Sequence, residues 1–269
     1  MTRTAQYRAR VRAVCHSHRV RYARQRQITE QVSAQAVSVE ALATRLGVSA
    51  ATIRRDLAQL SRSGLVQRVH GGAAPVSALD PDRPFDEVAD DAADAKRAIG
   101  RRAAGLVDDG DVVLLDIGTT TGALARELRS RPVTVITPSL AVLDALRDDP
   151  VVDLVLLGGS VRRRYHSLVG LLTEDALRQV HARTVFLGTS GVGPDGELLD
   201  TTSVEVPTKR GLIASADRVV LLADHTKFPG RGSLRVCHLS AIDVLVTTAG
   251  ADPATLALAR ASGTEVLLA

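Results

Sequence analysis

A chain of 269 residues with 45% hydrophobic content can bury one large core, or a medium core and a small one. No apolar run approaches the roughly 18 residues of a membrane helix, and the charged start is never followed by the apolar stretch of a signal peptide. The two cysteines, Cys15 and Cys237, have no paired spacing, so neither a disulfide framework nor a zinc site is indicated and a cytoplasmic protein is expected.

The net charge of +4 hides a division, because residues 1–78 carry thirteen arginines against three acids (Glu30, Glu40, Asp56) and the remainder carries 21 basic against 27 acidic side chains. A cationic segment of that density points to a polyanion, since neutralising phosphates releases counterions whatever the base sequence. Its first part, with eight arginines and no acid in residues 1–26, reads either as a flexible basic arm (1–23) that adds phosphate or minor-groove contacts, or as the product of a start codon placed too early. The "CHSH" at 15–18 lacks a second ligand pair and belongs to that arm, so no metal is expected.

Residues 38–63, "SVEALATRLGVSAATIRRDLAQLSRS", read as two short amphipathic helices joined by a turn. Ser38 caps the first, Val39, Leu42 and Leu46 share one face, and Gly47 stands where a helix ends in a left-handed residue. Ser49 caps the second, whose buried stripe is Ile53, Leu57 and Leu60. The opposite side carries Ala51, Thr52, Arg55 and Gln59, with Arg54 beside them. Arginine and glutamine can make bidentate contacts to base edges, and small residues near the helix start allow a close approach to the major groove. After Gly64, "LVQRVHGGAAPV" has the pattern of a β-hairpin, a wing that brings Arg68 and His70 near the DNA backbone. Residues 24–78 are thus expected to be a winged helix-turn-helix domain bound to double-stranded DNA. A single-stranded partner would call for stacking aromatics, and the chain has three Phe, three Tyr and no Trp.

Residues 79–95, rich in Pro, Asp and Ala, read as a linker. From Lys96 to the end, strands are expected near 111–116, 133–137, 151–157, 184–190, 218–224, 243–248 and 265–268, with helical spacing in "SLAVLDALRDD" and "DPATLALARASG". Continuous Val/Leu strands separated by helices indicate an α/β domain with a mostly parallel sheet covered on both faces. Ligands of such sheets bind beyond the carboxyl ends of the strands. Five polar loops fall there: "GTTT", "TPS", "LGGS" with Gly159, "GTSG" and "ADHTKF". At the first, Asp116 precedes Gly118, Thr119, Thr120 and Thr121, whose amides and hydroxyls at a helix start suit an anion. The loop has neither the Walker pattern nor the dinucleotide fingerprint, so a nucleotide is not favoured and no cofactor is expected. Of 34 basic residues only Lys96, Lys209 and Lys227 are lysine, which marks them as candidates for positions needing a compact ammonium.

Taken together, "RLGVSAATIRRDLAQLSRSGLVQRVHGGA", "KRAIGRRAAGLVDDGDVVLLDIGTTTGALA", "LLGGSVRR", "EVPTKR" and "ADHTKF" resemble the DeoR-type transcriptional regulators over about residues 24–260, most closely their glycerol-3-phosphate and sugar-operon repressors. The resemblance implies a homo-oligomeric repressor, not an enzyme, released from its operator by a phosphorylated sugar effector. It also implies a sensor fold similar to ribose-5-phosphate isomerase. By position, Gly118, Thr119 and Thr120 match the family's phosphate loop, Asp224 and Lys227 an Asp-x-Ser-Lys motif with Thr226 for serine, and Glu205 and Lys209 a Glu-x3-Lys pair. Two departures stand out: Pro138 occupies a position where the family usually has Asn, and Pro207 falls inside the Glu-Lys pair, where a regular helix would not accept it. The rival reading is a sugar-phosphate isomerase or deaminase with an accessory DNA-binding domain, in which Asp116, Glu205 or Asp224 supplies a general base.

Overall fold

The structure is a computed structural model that describes residues 21–32, 36–62, 66–69, 71–74, 84–230 and 232–269. The chain divides into two compact units, Met1–Ser77 and Ala78–Ala269.

In the first unit, α1 covers residues 21–32. It is followed by β1 (Val37–Ser38), α2 (Val39–Leu46), α3 (Ala50–Arg62), β2 (Gln67–Val69) and β3 (Gly72–Ala74). The Ser38 hydroxyl accepts from the Ala41 amide at 3.1 Å, and Gly47 closes α2 at φ 62°, a conformation open to glycine without steric cost. α3 begins where the Ser49 hydroxyl accepts from the Thr52 amide at 3.2 Å. Ile28 and Val32 of α1 join Leu42, Ile53, Leu57, Leu60 and Val66 in one apolar core. The strands form an antiparallel sheet in the order β1-β3-β2, with Val69 opposite Gly72 across the wing. Residues 21–23, expected in the arm, are helical. The helix continues through Arg24, whose Nε donates to Asp56 at 2.6 Å, and Gln25, whose amide reaches the same carboxylate at 3.2 Å. That buried acid inside the basic unit gives Arg24 and Gln25 of α1 a partner.

The second unit opens with α4 (Phe85–Asp90) and α5 (Ala93–Ala104); α4 and the first three residues of α5 fall in the stretch 79–95 expected to be a linker. Periodicity had no means of finding α4, because Phe85 is its one buried apolar side chain. There follow β4 (Val112–Leu115), α6 (Thr119–Glu127), β5 (Thr134–Thr137), α7 (Leu140–Leu146), β6 (Asp153–Leu156), β7 (Ser160–Arg162), β8 (Ser167–Val169) and α8 (Leu171–Leu177). The rest comprises β9 (Ala182–Leu187), β10 (Gly191–Val192), β11 (Glu197–Asp200), α9 (Val206–Ala214), β12 (Ala216–Leu222), β13 (Leu234–His238), β14 (Val244–Thr247), α10 (Pro253–Ala261) and β15 (Glu265–Leu268).

Seven strands make one parallel sheet in the order β15-β14-β12-β9-β4-β5-β6. Successive side chains alternate across it. Val113 and Leu115 join Ile99, Leu124 and Val142 of α5, α6 and α7 on one face, while Leu114 joins Leu177, Leu212 and Ala259 of α8, α9 and α10 on the other. The sheet is therefore covered on both sides, which explains its unbroken apolar strands. Chain order runs outward from β4 through β5 to β6, then returns to β9 on the other side and proceeds to β15. The reversal leaves a crevice between the carboxyl ends of β4 and β9, the usual ligand position in an open α/β sheet.

Candidate functional site

In the first unit, Ile53, Leu57 and Leu60 point into the core, so Ala51, Arg54 and Arg55 are left exposed on α3 together with Ser49 before it. Thr52 is half-buried and shares a 2.9 Å hydroxyl contact with Ser49. Arg54 lies 3.9 Å from Glu40, and Arg68 is exposed on β2. His70 lies outside the described residues. Gln59 departs from the expected face: its side-chain carbonyl accepts from Arg21 and, at 3.2 Å, from Gln25, so it is turned toward α1. The physical reason is competition, because α1 offers charged and amide donors where the helical wheel alone assumes solvent.

In the second unit the crevice is flanked by Asp116, just past β4 and fully buried, and Gly188, just past β9. The Asp116 amide donates to the Phe186 carbonyl at 3.0 Å, and the Gly188 amide donates to Asp116 Oδ2 at 3.0 Å. The Lys209 ammonium donates to the same Oδ2, to the Gly188 carbonyl at 3.0 Å, and lies 3.8 Å from Asp200. Asp116 Oδ1 is buried with no hydrogen-bond partner among the described residues. Such an orphan is expensive unless a donor visits it.

Glu205 stands immediately before α9, one turn ahead of Lys209, and the Lys209 amide donates to the Glu205 carbonyl at 2.9 Å. Pro207 sits in the first turn of α9, where its missing N–H has no partner to lose and its fixed φ suits a helix start. It is thus compatible with the Glu-Lys pair, whose orientation it preserves. The Glu205 carboxylate meets the Arg162 guanidinium and accepts from the Ser167 hydroxyl at 3.4 Å. Three carboxylates, Asp116, Asp200 and Glu205, thus share the interior with two cations, Lys209 and Arg162. One proton taken up among the acids balances the set. Burial, reinforced by the Asp200 and Asp116 charges, pushes Glu205 up to about 8 against the opposing pull of Arg162 and Lys209. Burial likewise raises Asp200, while Lys209 is held protonated by Asp116 and Asp200 in spite of its desolvation.

Gly118 has φ 136°, open to glycine, and turns the chain from β4 into α6. The first intrahelical bond runs from the Gly122 amide to the Gly118 carbonyl at 3.1 Å, so the Thr119, Thr120 and Thr121 amides precede the ladder. Thr120 and Thr121 are buried, and the Thr121 hydroxyl returns to the Gly118 carbonyl at 2.9 Å. Asp224 follows β12, and its Oδ1 accepts from the Thr226 amide at 2.9 Å and from the Thr226 hydroxyl at 2.5 Å. The Lys227 ammonium, in the turn after it, has no partner among the described residues.

Two sequence candidates have other duties. Lys96 is buried on α5, where its ammonium donates to the Val88 carbonyl of α4. A Cβ on Gly159 would strike the Thr173 hydroxyl and approach the Val169 carbonyl to 2.9 Å, so this glycine permits close packing. A cavity of about 630 Å³ lies away from the crevice, between α8 and α9 near the amino ends of β9 and β12, and is lined in part by Arg178, His181 and Arg210. Sequence reading passed over Arg162, Ser167 and Asp200, and had Gly188 only as the first residue of the "GTSG" loop. Arg162 heads a run of three arginines that looks like a solvated surface, and only its 15% side-chain exposure sets it apart.

A winged helix with an arginine-bearing face, carried with an α/β unit whose crevice is buried and charged, is the build of a DNA-binding regulator with a sensor domain. Residues 24–78 match the DeoR-like helix-turn-helix domain and residues 91–249 the DeoR C terminal sensor domain. The chain belongs to the DeoR family of transcriptional regulators. It is 34% identical to the HTH-type transcriptional regulator GlpR of Haloferax volcanii over 231 residues, covering 85% of this chain and 90% of that one. It is also 34% identical to the glycerol-3-phosphate regulon repressor of Escherichia coli over 215 residues (79% and 84%), and 31% identical to the transcriptional repressor GlcR of Bacillus subtilis over 232 (86% and 90%). Among solved structures, ribose 5-phosphate isomerase A of Methanocaldococcus jannaschii is 20% identical with a TM-score of 0.38, covering 50% of this chain and 54% of that one. Likeness at this level says nothing about activity. No helix among the described residues is long and apolar enough to cross a membrane.

Proposed function

We propose that this regulator represses a sugar or carbohydrate catabolic operon and leaves its operator when a phosphorylated sugar occupies the crevice. In this reading residues 24–78 read the DNA and the second unit, from α4 onward, senses, with the chain acting as a homo-oligomer. Ser49, Ala51, Thr52, Arg54 and Arg55 approach the major groove, and Arg68 and His70 the backbone. The phosphate sits on the amides of Thr119 to Thr121 at the α6 amino terminus, helped by Lys227, and the sugar hydroxyls face Asp116, Glu205 and Lys209.

The observation that carries the proposal is the orphan Oδ1 of Asp116, buried two residues before a helix amino terminus with unlatticed amides. A phosphorylated polyol supplies both what that oxygen lacks, a hydroxyl donor, and what the helix end attracts, an anion. Release from DNA follows by linkage: the effector shifts the regulator between DNA-competent and incompetent arrangements by its differential affinity for them. The names of the relatives, repressors and regulators, support the same direction.

The test is a mobility shift on DNA upstream of the protein's own gene, repeated across a panel of sugar phosphates. One or more should release it, and Thr120→Asp should bind DNA yet ignore them; normal release of that variant would move the phosphate elsewhere. The enzymic reading draws on one observation, the raised Glu205 carboxyl, which lies in the range of a general base. Turnover of ribose 5-phosphate or glucosamine 6-phosphate at enzymic rates by purified protein would replace our proposal with that one.

A further inference from the structure

Arg162 ends β7 with its guanidinium on Glu205 and its Cζ 5.4 Å from the centre of the Tyr165 ring. Tyr165 and the following His166 both meet Phe85, the first residue of α4. The His166 ring stacks on it at 5.0 Å with an interplanar angle of 18°, and the Tyr165 ring meets it edge-on at 6.3 Å and 83°. Phe85 is 7% exposed, although α4 has only six residues. α4 also packs against α6, the helix that opens on the Gly-Thr loop, and the Lys96 ammonium holds its Val88 carbonyl. The segment that follows the DNA-binding unit in the chain is therefore seated on residues whose neighbours, Arg162 and Ser167, both reach Glu205.

We propose that Arg162 is the positioning residue that couples occupancy of the crevice to α4, acting through Tyr165, His166 and Phe85. A ligand hydroxyl that engages Glu205 weakens its hold on Arg162. A guanidinium this buried keeps close to negative charge, so it follows Glu205 or turns toward the Asp200 carboxylate. Either movement withdraws the cation from the Tyr165 face, disturbs the Tyr165–His166 seat and frees Phe85. The coupling is discrete because packed side chains have few alternative arrangements. The inference rests on the effector reading above.

The test uses the full chain, an upstream operator fragment, and glycerol 3-phosphate, ribose 5-phosphate and glucosamine 6-phosphate as probes. Calorimetry measures ligand affinity, and mobility shift measures operator affinity with and without ligand. Coupling of this kind typically amounts to about 5- to 150-fold in affinity. Phe85→Leu, which keeps apolar bulk and removes the ring, should bind operator and ligand within about twofold of wild type while the ligand-dependent ratio falls toward one. Arg162→Lys, which keeps the charge and loses the planar stack, should lower the ratio as well. Wild-type protein released by a sugar phosphate, with the ratio unchanged in both variants, overturns the relay alone. Wild-type protein that binds none of the probes and is released by none overturns the effector reading and the relay with it.

Discussion

Replacing Lys209 by Met removes the cation on which the buried acids depend while keeping most of the side-chain volume. Its Nζ lies 3.8 Å from Asp200 and directly on Asp116, with side-chain exposures of 4%, 3% and 0%. At an effective dielectric of about 20, one such pair is worth about 4 kcal/mol of Coulomb energy, and removing one partner of a buried pair costs about 3–5 kcal/mol. For a domain of this size each kcal/mol moves the midpoint by about 2–4 °C, so a loss of about 4 kcal/mol lowers it by about 8–16 °C. The loss also depends on pH. Asp200 and Glu205 already titrate above their ordinary values, and without Lys209 they rise further, so the folded form binds extra protons and its stability falls as pH rises. Scanning calorimetry of the variant and wild type at about pH 5.5 and 8 should show the larger deficit at the higher pH. A deficit below about 1 kcal/mol, or one equal at both values, would refute the argument that Lys209 neutralises these acids.

Arg55→Ala should weaken operator binding by about 1–3 kcal/mol in a mobility shift while leaving the melting temperature and the effector affinity unchanged, because the side chain is exposed. Gly159→Ala should destabilise the second unit by about 1–3 kcal/mol by urea unfolding, since its Cβ collides with Thr173 and Val169; a stable variant with impaired ligand binding would instead make Gly159 part of the crevice. The stability Glu205 contributes is fully present below its ordinary value near 4.5 and is lost as pH rises through about 8, so Glu205→Gln should flatten the melting temperature against pH across that window.

Much of the fold was legible because burial leaves a local mark. The seven strands of the large sheet were each visible as a Val/Leu run, although β9 and β12 start two residues earlier than expected and also end earlier, since the last residues expected in them belong to the polar loops at Gly188 and Asp224. The caps at Ser38, Ser49 and Gly47 were readable for the same reason, since each follows from the chemistry of a few neighbouring residues. The short antiparallel pieces, β7-β8 and β10-β11-β13, were not, because their residues mix polar, glycine and apolar types and form no Val/Leu run. The candidate site divides along the same line. Gly118 to Thr121, Glu205 and Lys209 announce themselves by type and spacing. Arg162 and Asp200 do not, since nothing in "VRRRYHS" or "GELLDTT" distinguishes an inward charge from a solvated one.

By itself the sequence determined a basic helix-turn-helix head, a parallel sheet, and a polar loop at the mouth of its first strand, all consequences of side-chain periodicity and local backbone preference. Only the tertiary structure decided which charges are buried together. It joined Asp116 to Lys209 across 93 residues and Arg162 to Glu205 across 43, gave Lys96 to α4, turned Gln59 toward α1 and seated Phe85 on His166. The physical reason is that ion pairing and ring stacking depend on distances of a few ångströms between segments remote in the chain, which strand order sets and no local pattern encodes.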